Sequence, residues 1–450
     1  MYSASCIWCL EAISKKDMPM KIFNYPSRLA EQRVDRIINR GLLFQKKDLA
    51  AVNRICEDIR KRGDQAVISY TRRFDSARMT RSSMRVSEKE FAYAAKNVDR
   101  SFTRTLNRAV SNIKTFHQRQ LRRSWMLTHQ PGTLVGQLIN PVDAAGVYVP
   151  GARGGETPLV SSVLMGVIPA KVAGVRQVVM VTPPTKSGGI NPHLLIAARK
   201  AGADAVYKAG SAWAIAALAY GTQTIPRVDV IVGPGNIYVT LAKKILAGIV
   251  GIDMIAGPSE ILVLADEGAN SKFIAADLLS QAEHDALSSA ILITDSKKLA
   301  TVVAEEVQRQ LASLVRADIA AKSLEKYGAI IVVRNMNVAV EMANRIAPEH
   351  LELHLKDAFE YVGKIRNAGA IFVGDYSPEA VGDYIAGPNH VLPTGGTARF
   401  ASALSVDNFI KKTSLIHYTQ KAFQREASDI IRLAETERLG AHARSIKVRL

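Results

Sequence analysis

Two proton-handling side chains stand together at Glu349-His350, directly after Pro348. A carboxylate beside an imidazole can accept and return protons near neutral pH. The segment 342–346 reads as the end of a helix and 350–355 as a strand. A corner of that kind aims side chains out of an α/β core into a cleft. A surface turn with two polar residues has the same local pattern, so the pair takes its meaning from what the chain sets around it.

The histidines supply the next candidates. Gln281 and His284 are three residues apart near the end of a helical segment, so they share a face. Asp383 lies in Gly382-Asp383-Tyr384, His390 ends Gly387-Pro388-Asn389-His390, and His442 comes five residues after Glu437. One Gln, two His and one Asp could furnish four nitrogen and oxygen ligands, a set that suits zinc without thiolate. Spacing leaves hydrogen-bonded structural roles equally open. Cysteine is sparse, with Cys6, Cys9 and Cys56 all far from these motifs. Cys6 and Cys9 form a C-x-x-C, but no second pair completes a zinc site. The count argues for a reducing compartment without structural disulfides.

Glycine-bearing turns between strand and helix are the phosphate sites of α/β proteins, where backbone N–H groups and the helix dipole converge. Two stand out: Gly233-Pro234-Gly235-Asn236, with Asn236 placed to cap a helix, and the loop from Pro150 to Gly155 after the strand bearing Tyr148. Neither is G-x-G-x-x-G, so the ordinary dinucleotide fingerprint is absent.

Elements must position these groups. Segments within 21–125 show apolar spacings of three and four and read as helical, with short strands near 127 and 136–138. From residue 143 short apolar runs alternate with helices: strands at 144–149, 177–182, 205–208 and 228–232, each followed by a helix. Four such units imply a parallel doubly wound sheet. A second series has strands at 260–265, 289–294, 329–333, 350–355 and 370–373, with helices at 272–284, 297–315, 338–346 and 358–367. The last part, 404–412 and 420–438, reads as helical. The expected fold is α/β, two Rossmann-like doubly wound parallel domains, one inserted in the other, with helical terminal extensions. The expected boundaries are a loose tail at 1–20, a helical segment at 21–45, one α/β domain from 46–147 plus 260–403 carrying the acid–base pair, a second at 148–259, and a helical piece at 404–450.

An apolar content of 48% with 22% charged residues is ordinary for a soluble globular protein. No apolar run is long enough to span a bilayer, and the first residues lack the pattern of a secretory signal, so the expectation is a cytoplasmic protein. The net charge of +18 is concentrated in residues 1–130, with 27 Lys and Arg against 12 Asp and Glu. These cations are scattered over helical segments with no interleaved aromatic stack, which reads as a solvated surface, and no nucleic-acid partner is expected.

Taken together the motifs resemble a known family. S-Q-A-E-H at 280–284, A-P-E-H-L at 347–351, G-D-Y-S-P-E-A-V-G-D-Y at 374–384, G-P-N-H-V-L-P-T at 387–394, G-P-G-N at 233–236 and A-G-P-S-E at 256–260 occur with A-K-V-A-G-V at 170–175 and E-R-L-x-A-H at 437–442. The set resembles the histidinol dehydrogenases over residues 21–450. The resemblance implies a homodimeric zinc enzyme that oxidises L-histidinol to L-histidine through the aldehyde with two NAD⁺. It implies zinc ligands Gln281, His284, Asp383 and His442 of the partner subunit, with 404–450 as the dimerisation segment. It places substrate contacts on Ser259, Gln281, His284, His350, Asp383, His390, Glu437 and His442, NAD contacts on Tyr148 and Asn236, and the acid–base pair on Glu349 and His350. With no cysteine near the motifs, a thiohemiacetal route is rejected, and Glu349 is expected to activate water for the aldehyde step.

Two departures bear on the cofactor. Trp213 stands in Gly210-Ser211-Ala212-Trp213-Ala214-Ile215-Ala216, where the family commonly has a Gln that contacts NAD. Trp213 is expected either to stack on a cofactor ring or to fill the core. The loop from Pro150 to Ser161 is longer than the family's and carries Arg153 and Glu156. The alternative reading is a related zinc- and NAD-dependent dehydrogenase of another amino or sulfo alcohol.

Overall fold

A computed structural model describes residues 20–40, 45–151 and 157–450. Cys6, Cys9, Arg153 and Glu156 lie outside the described residues. In chain order the strands are β1 Ile22–Asn24, β2 Trp125–Leu127, β3 Thr133–Pro141, β4 Ala144–Tyr148, β5 Gln177–Thr182, β6 Ala205–Lys208, β7 Val230–Val232, β8 Gly251–Ile252, β9 Glu260–Ala265, β10 Ser289–Thr294, β11 Ala329–Val332, β12 His350–His354, β13 Ala370–Val373 and β14 Ile410–Tyr418. They form a six-stranded sheet in the order β1-β11-β10-β9-β12-β13 and a five-stranded sheet in the order β6-β5-β4-β7-β8. Every pairing in both sheets is parallel.

Apart from β1, the two sheets share one winding. The first strand is central, the next two step to one side, and the last two step to the other. Each sheet therefore reverses direction once, between β4 and β7 and between β9 and β12, and at such reversals a crevice opens outside the carboxyl ends of the strands. The sequences of β9 (EILVLA) and β10 (SAILIT) are buried at every position, as strands covered by helices on both faces must be. Ile261 and Val263 face one helical layer, Leu262 and Leu264 the other. The helices carry local start signals as well: Ser87 and Glu90 form a reciprocal capping box on Glu88–Asn97.

Several expectations are corrected. The segment 404–412 is not helical. It makes one 3₁₀ turn, Val406–Phe409, and then β14, which pairs antiparallel with β3 along nine residues. The partner strand decides here, since β3 supplies a ladder that the isolated segment cannot show. With β2 these strands form a third sheet, β14-β3-β2. The helix expected at 297–315 ends at Leu311, a further helix Ala317–Tyr327 follows that the sequence reading does not include, and 358–367 contains only Phe359–Val362. The expected grouping of 46–147 with 260–403 also differs from the packing. The helices Lys46–Arg62 and Asp64–Phe74 bury Val52, Ile59 and Val67 in the core on one side of the five-stranded sheet, packing on its helices Ser211–Tyr220 and Ile237–Leu246, and Glu88–Asn97 and Arg100–Gln118 pack on Val160–Val172 and Pro192–Ala201 on the other. The first strand and the helix Arg28–Ile38 join the six-stranded sheet. An amphipathic helix records that it must be covered, not by which sheet. Among the described residues no helix is long and apolar enough to cross a membrane.

Candidate active site

The corner at 347–350 is built by backbone geometry. The helix Met336–Ile346 ends on Ala347, a non-glycine residue in the left-handed region (φ 53°), whose N–H closes on Ala343. That conformation costs roughly 1–2 kcal/mol and turns the chain so that His350 opens β12. The N–H groups of Gly369 and Ala370 then hold the carbonyls of Pro348 and Glu349, each at 2.9 Å. Only glycine fits at 369, because a Cβ there would lie 2.5 Å from the Glu349 carbonyl oxygen.

Glu349 and His350 are 7% and 4% exposed. His350 Nδ1 lies 2.9 Å from the Glu260 carbonyl. It must donate there, which leaves the lone pair on Nε2. Nε2 is buried with no hydrogen-bond partner among the described residues, 3.7 Å from Glu379 Oε1. Burial pushes the His350 imidazole down to about 4, so it is neutral at physiological pH. Burial, and then the neighbouring Glu260 charge, raises the Glu349 carboxyl well above its ordinary value. Glu379 is raised too, by burial and then by Asp383 and Glu349.

Gln281 is fully buried on the helix Ser271–Ala282. Its amide satisfies its surroundings with nitrogen donating to Glu379 (2.8 and 2.9 Å) and oxygen accepting from the Glu260 N–H (2.8 Å), a donor it shares with Glu349 Oε2 (2.9 Å). Asp383 lies in a π-helical turn, Gly382–Ala386, with its carboxyl raised to about 6 by burial. His390 Nδ1 is 3.7 Å from Asp383 Oδ1. A cavity of about 260 Å³ gathers Ser259, His284, Glu349, His350, Glu379, Asp383 and His390 from the six-stranded side and Ser161, Ser162 and Pro234 from the other. The amino ends of β9 and β12 thus face the carboxyl end of β7 across one crevice. Glu437 and His442 are not brought in. They are exposed, at and beyond the end of Gln420–Thr436, and neither lines the cavity in this chain.

Two residues carry no role in the sequence reading: Glu379, which lines this crevice, and Glu260, which stands behind the acid–base pair. Glu379 sits inside S-P-E-A-V-G-D-Y and Glu260 ends A-G-P-S-E. Glu260, a carboxylate opening an otherwise apolar strand, was the visible signal. A second cluster, Glu352 and His354 of β12 with Asp277 of the helix Ser271–Ala282, lies behind the site. His354 Nε2 is 3.3 Å from Glu352 and 3.6 Å from Asp277, and Nδ1 is 3.2 Å from Asp375. Burial alone would lower this imidazole, but the carboxylates raise it to about 10. Both of its ring nitrogens thus face carboxylates.

On the five-stranded side the G-P-G-N turn is held from behind. The buried Lys243–Asp253 pair grips it, Asp253 accepting from the Gly233 N–H at 2.8 Å and Lys243 donating to the Gly233 carbonyl at 3.0 Å. Asn236 caps Ile237–Leu246 through the N–H groups of Tyr238 and Val239. Tyr148 is 3% exposed and its hydroxyl accepts from the Ser211 N–H at 3.1 Å. Trp213 is placed in the core: its ring stacks on Tyr70 and Phe74, and its N–H donates to Thr71 at 3.1 Å. Its one polar atom is therefore engaged, and the expected stacking on a cofactor ring is replaced by core stacking. Cys56 is buried in the same core, where burial pushes its thiol up to about 12.

The donor set fits a divalent metal of borderline softness. His284, His350 and Asp383 line one cavity, His350 Nε2 has no hydrogen-bond partner among the described residues, and Gln281 stands behind them, bonded to the lining residue Glu379. For a dinucleotide, the G-P-G-N turn at a sheet reversal and a helix N-terminus offers the ordinary place.

The histidinol dehydrogenase family profile matches residues 39–450. The chain is 54% identical over 417 residues to a histidinol dehydrogenase of Desulfotalea psychrophila, spanning 93% of this chain and 96% of that relative. It is 51% identical over 431 residues to one of Heliobacterium mobile, spanning 96% and 99%. A crystal structure of histidinol dehydrogenase from Elizabethkingia anophelis matches with a TM-score of 0.90 at 39% identity, covering 96% of this chain and 98% of that one.

Proposed function

The chain belongs to the histidinol dehydrogenase family, whose members use NAD and zinc, and we propose that it oxidises L-histidinol through L-histidinal to L-histidine with two NAD⁺. The observation that carries this reading is the single crevice. The acid–base pair, the donors His284 and Asp383, and Pro234 of the G-P-G-N turn all border it, so one bound alcohol can meet a base and a hydride acceptor together.

In the first oxidation His350 Nε2 takes the hydroxyl proton while hydride passes from the carbinol carbon to the nicotinamide, giving aldehyde, NADH and one proton. In the second, water adds to the aldehyde carbonyl. Glu349 removes a proton from that water, and a carboxylate whose proton affinity has been raised by burial is a stronger base than an exposed one. The hydrate then loses hydride to a second NAD⁺, giving the carboxylate. When bound, zinc on Gln281, His284, Asp383 and His442 of the partner subunit would orient the substrate's imidazole and amine nitrogens. Ser259 and His390 border the crevice as further substrate contacts, and Glu437 joins them from the C-terminal helices. Tyr148 and Asn236 flank the cofactor. The thiol of Cys56 has no part, being buried in the other core. The test is NADH formation from L-histidinol, abolished by a chelator and restored by zinc. Activity with another amino alcohol and none with histidinol would overturn the substrate assignment.

A further inference from the structure

Glu260 opens β9 at the point where the six-stranded sheet reverses, next to the catalytic corner. Three contacts tie it to the acid–base pair. Its N–H donates to Glu349 Oε2 at 2.9 Å, its own Oε2 accepts from the Glu349 N–H at 3.1 Å, and its carbonyl accepts from His350 Nδ1 at 2.9 Å. The other carboxylate oxygen, Oε1, meets Arg40 Nη2 at 2.7 Å, with both side chains no more than 5% exposed. Arg40 follows the helix Arg28–Ile38, and its guanidinium is fixed in turn by the carbonyls of Ile37 and Leu287.

The backbone contacts would survive any side chain at 260. The carboxylate does something separate: it holds the N–H of Glu349 at the corner, and Arg40 stops it from turning away. We infer that Arg40 and Glu260 are positioning residues for the aldehyde oxidation, a charged clamp that fixes the residue from which the Glu349 carboxylate reaches the crevice. A buried ion pair is a poor device for stability alone, since apolar side chains of similar volume serve as well or better. Its place at the amino end of two adjoining strands, touching both proton-handling residues, is explained by orientation. This inference rests on the acid–base reading of Glu349 and His350.

The experiment uses the zinc-loaded full-length protein and measures both steps, from L-histidinol and from L-histidinal. Arg40→Met combined with Glu260→Met removes the clamp without stranding a buried charge. We expect kcat from L-histidinal to fall about tenfold or more, with KM for L-histidinol and bound zinc within about twofold of the wild type. Arg40→Met combined with Glu260→Gln returns an oxygen to the Glu349 N–H without the charge and should recover most of the lost rate. Wild-type kcat from L-histidinal in the Met/Met variant would overturn the inference. So would equal losses in both variants accompanied by lost zinc, which is what a purely structural pair would give. If the wild type oxidises neither compound, the functional reading fails instead, which is a different result.

Discussion

Replacing Gly369 by alanine tests how tightly the catalytic corner is set. The added Cβ would stand 2.5 Å from the Glu349 carbonyl oxygen and 3.2 Å from Leu392 Cβ. Ordinary contact begins at 3.4 Å, so the corner must retreat by about 0.9 Å, and the obstructing atom is backbone and cannot swing aside. Displacing a catalytic group by about 1 Å costs on the order of 10²-fold in rate, or roughly 3 kcal/mol of barrier. Overpacking of this kind also costs roughly 1–3 kcal/mol of stability. Gly369→Ala should therefore fold, with a lower Tm, and lose about 10²-fold in kcat from L-histidinol. KM and zinc content should stay near wild type, because the metal donors stand on other elements. Steady-state NADH formation, thermal melting and metal analysis read the three quantities. A rate within about twofold of wild type in a folded, zinc-loaded variant would refute the reasoning that this corner is rigid and catalytic.

Glu349→Gln should leave most of the oxidation of L-histidinol to aldehyde and depress the aldehyde step, whereas His350→Gln should depress both; single-turnover NADH formation from each substrate separates them. Thermal melting against pH tests the cluster behind the site. His354 is raised from about 6.5 when unfolded to about 10 when folded. Its contribution to stability is complete below pH 6.5 and is lost as pH rises through 10, up to a few kcal/mol. His354→Gln should be less stable than wild type at pH 6 and should converge towards it above pH 10. A constant difference at all pH values would remove the charge from the account. Replacing Cys6, Cys9 and Cys56 together by alanine should leave both steps active and insensitive to thiol alkylation, since no thiol takes part; loss of only the aldehyde step would point to a thiol intermediate.

Much of this arrangement is legible in the chain because the relevant signals are local. The strands from β4 to β7 and from β9 to β13 announce themselves as short apolar runs between helices, and Glu349-His350 as a polar pair at a helix-to-strand corner. What escapes is set by distant partners. Arg40 and Glu260 meet only after the sheet is wound, and Glu260 alone reads as the first residue of a buried strand. The strand β14 escapes because Val406 and Phe409, three apart, look helical, and only pairing with β3 makes the following I-K-K-T-S-L-I-H-Y extended. Trp213 is ambiguous in sequence because stacking on a cofactor and stacking on Tyr70 and Phe74 require the same ring. Neither Glu437 nor His442 lines the cavity within one chain, so the roles proposed for them require a second subunit.

The central claim is that one crevice carries out both oxidations with Glu349 and His350. The most direct measurement is the number of NADH molecules formed per L-histidinol consumed, made with a carbonyl-trapping reagent present. Two are expected, with no trapped aldehyde. One NADH per substrate, or aldehyde captured in stoichiometric amount, would contradict it.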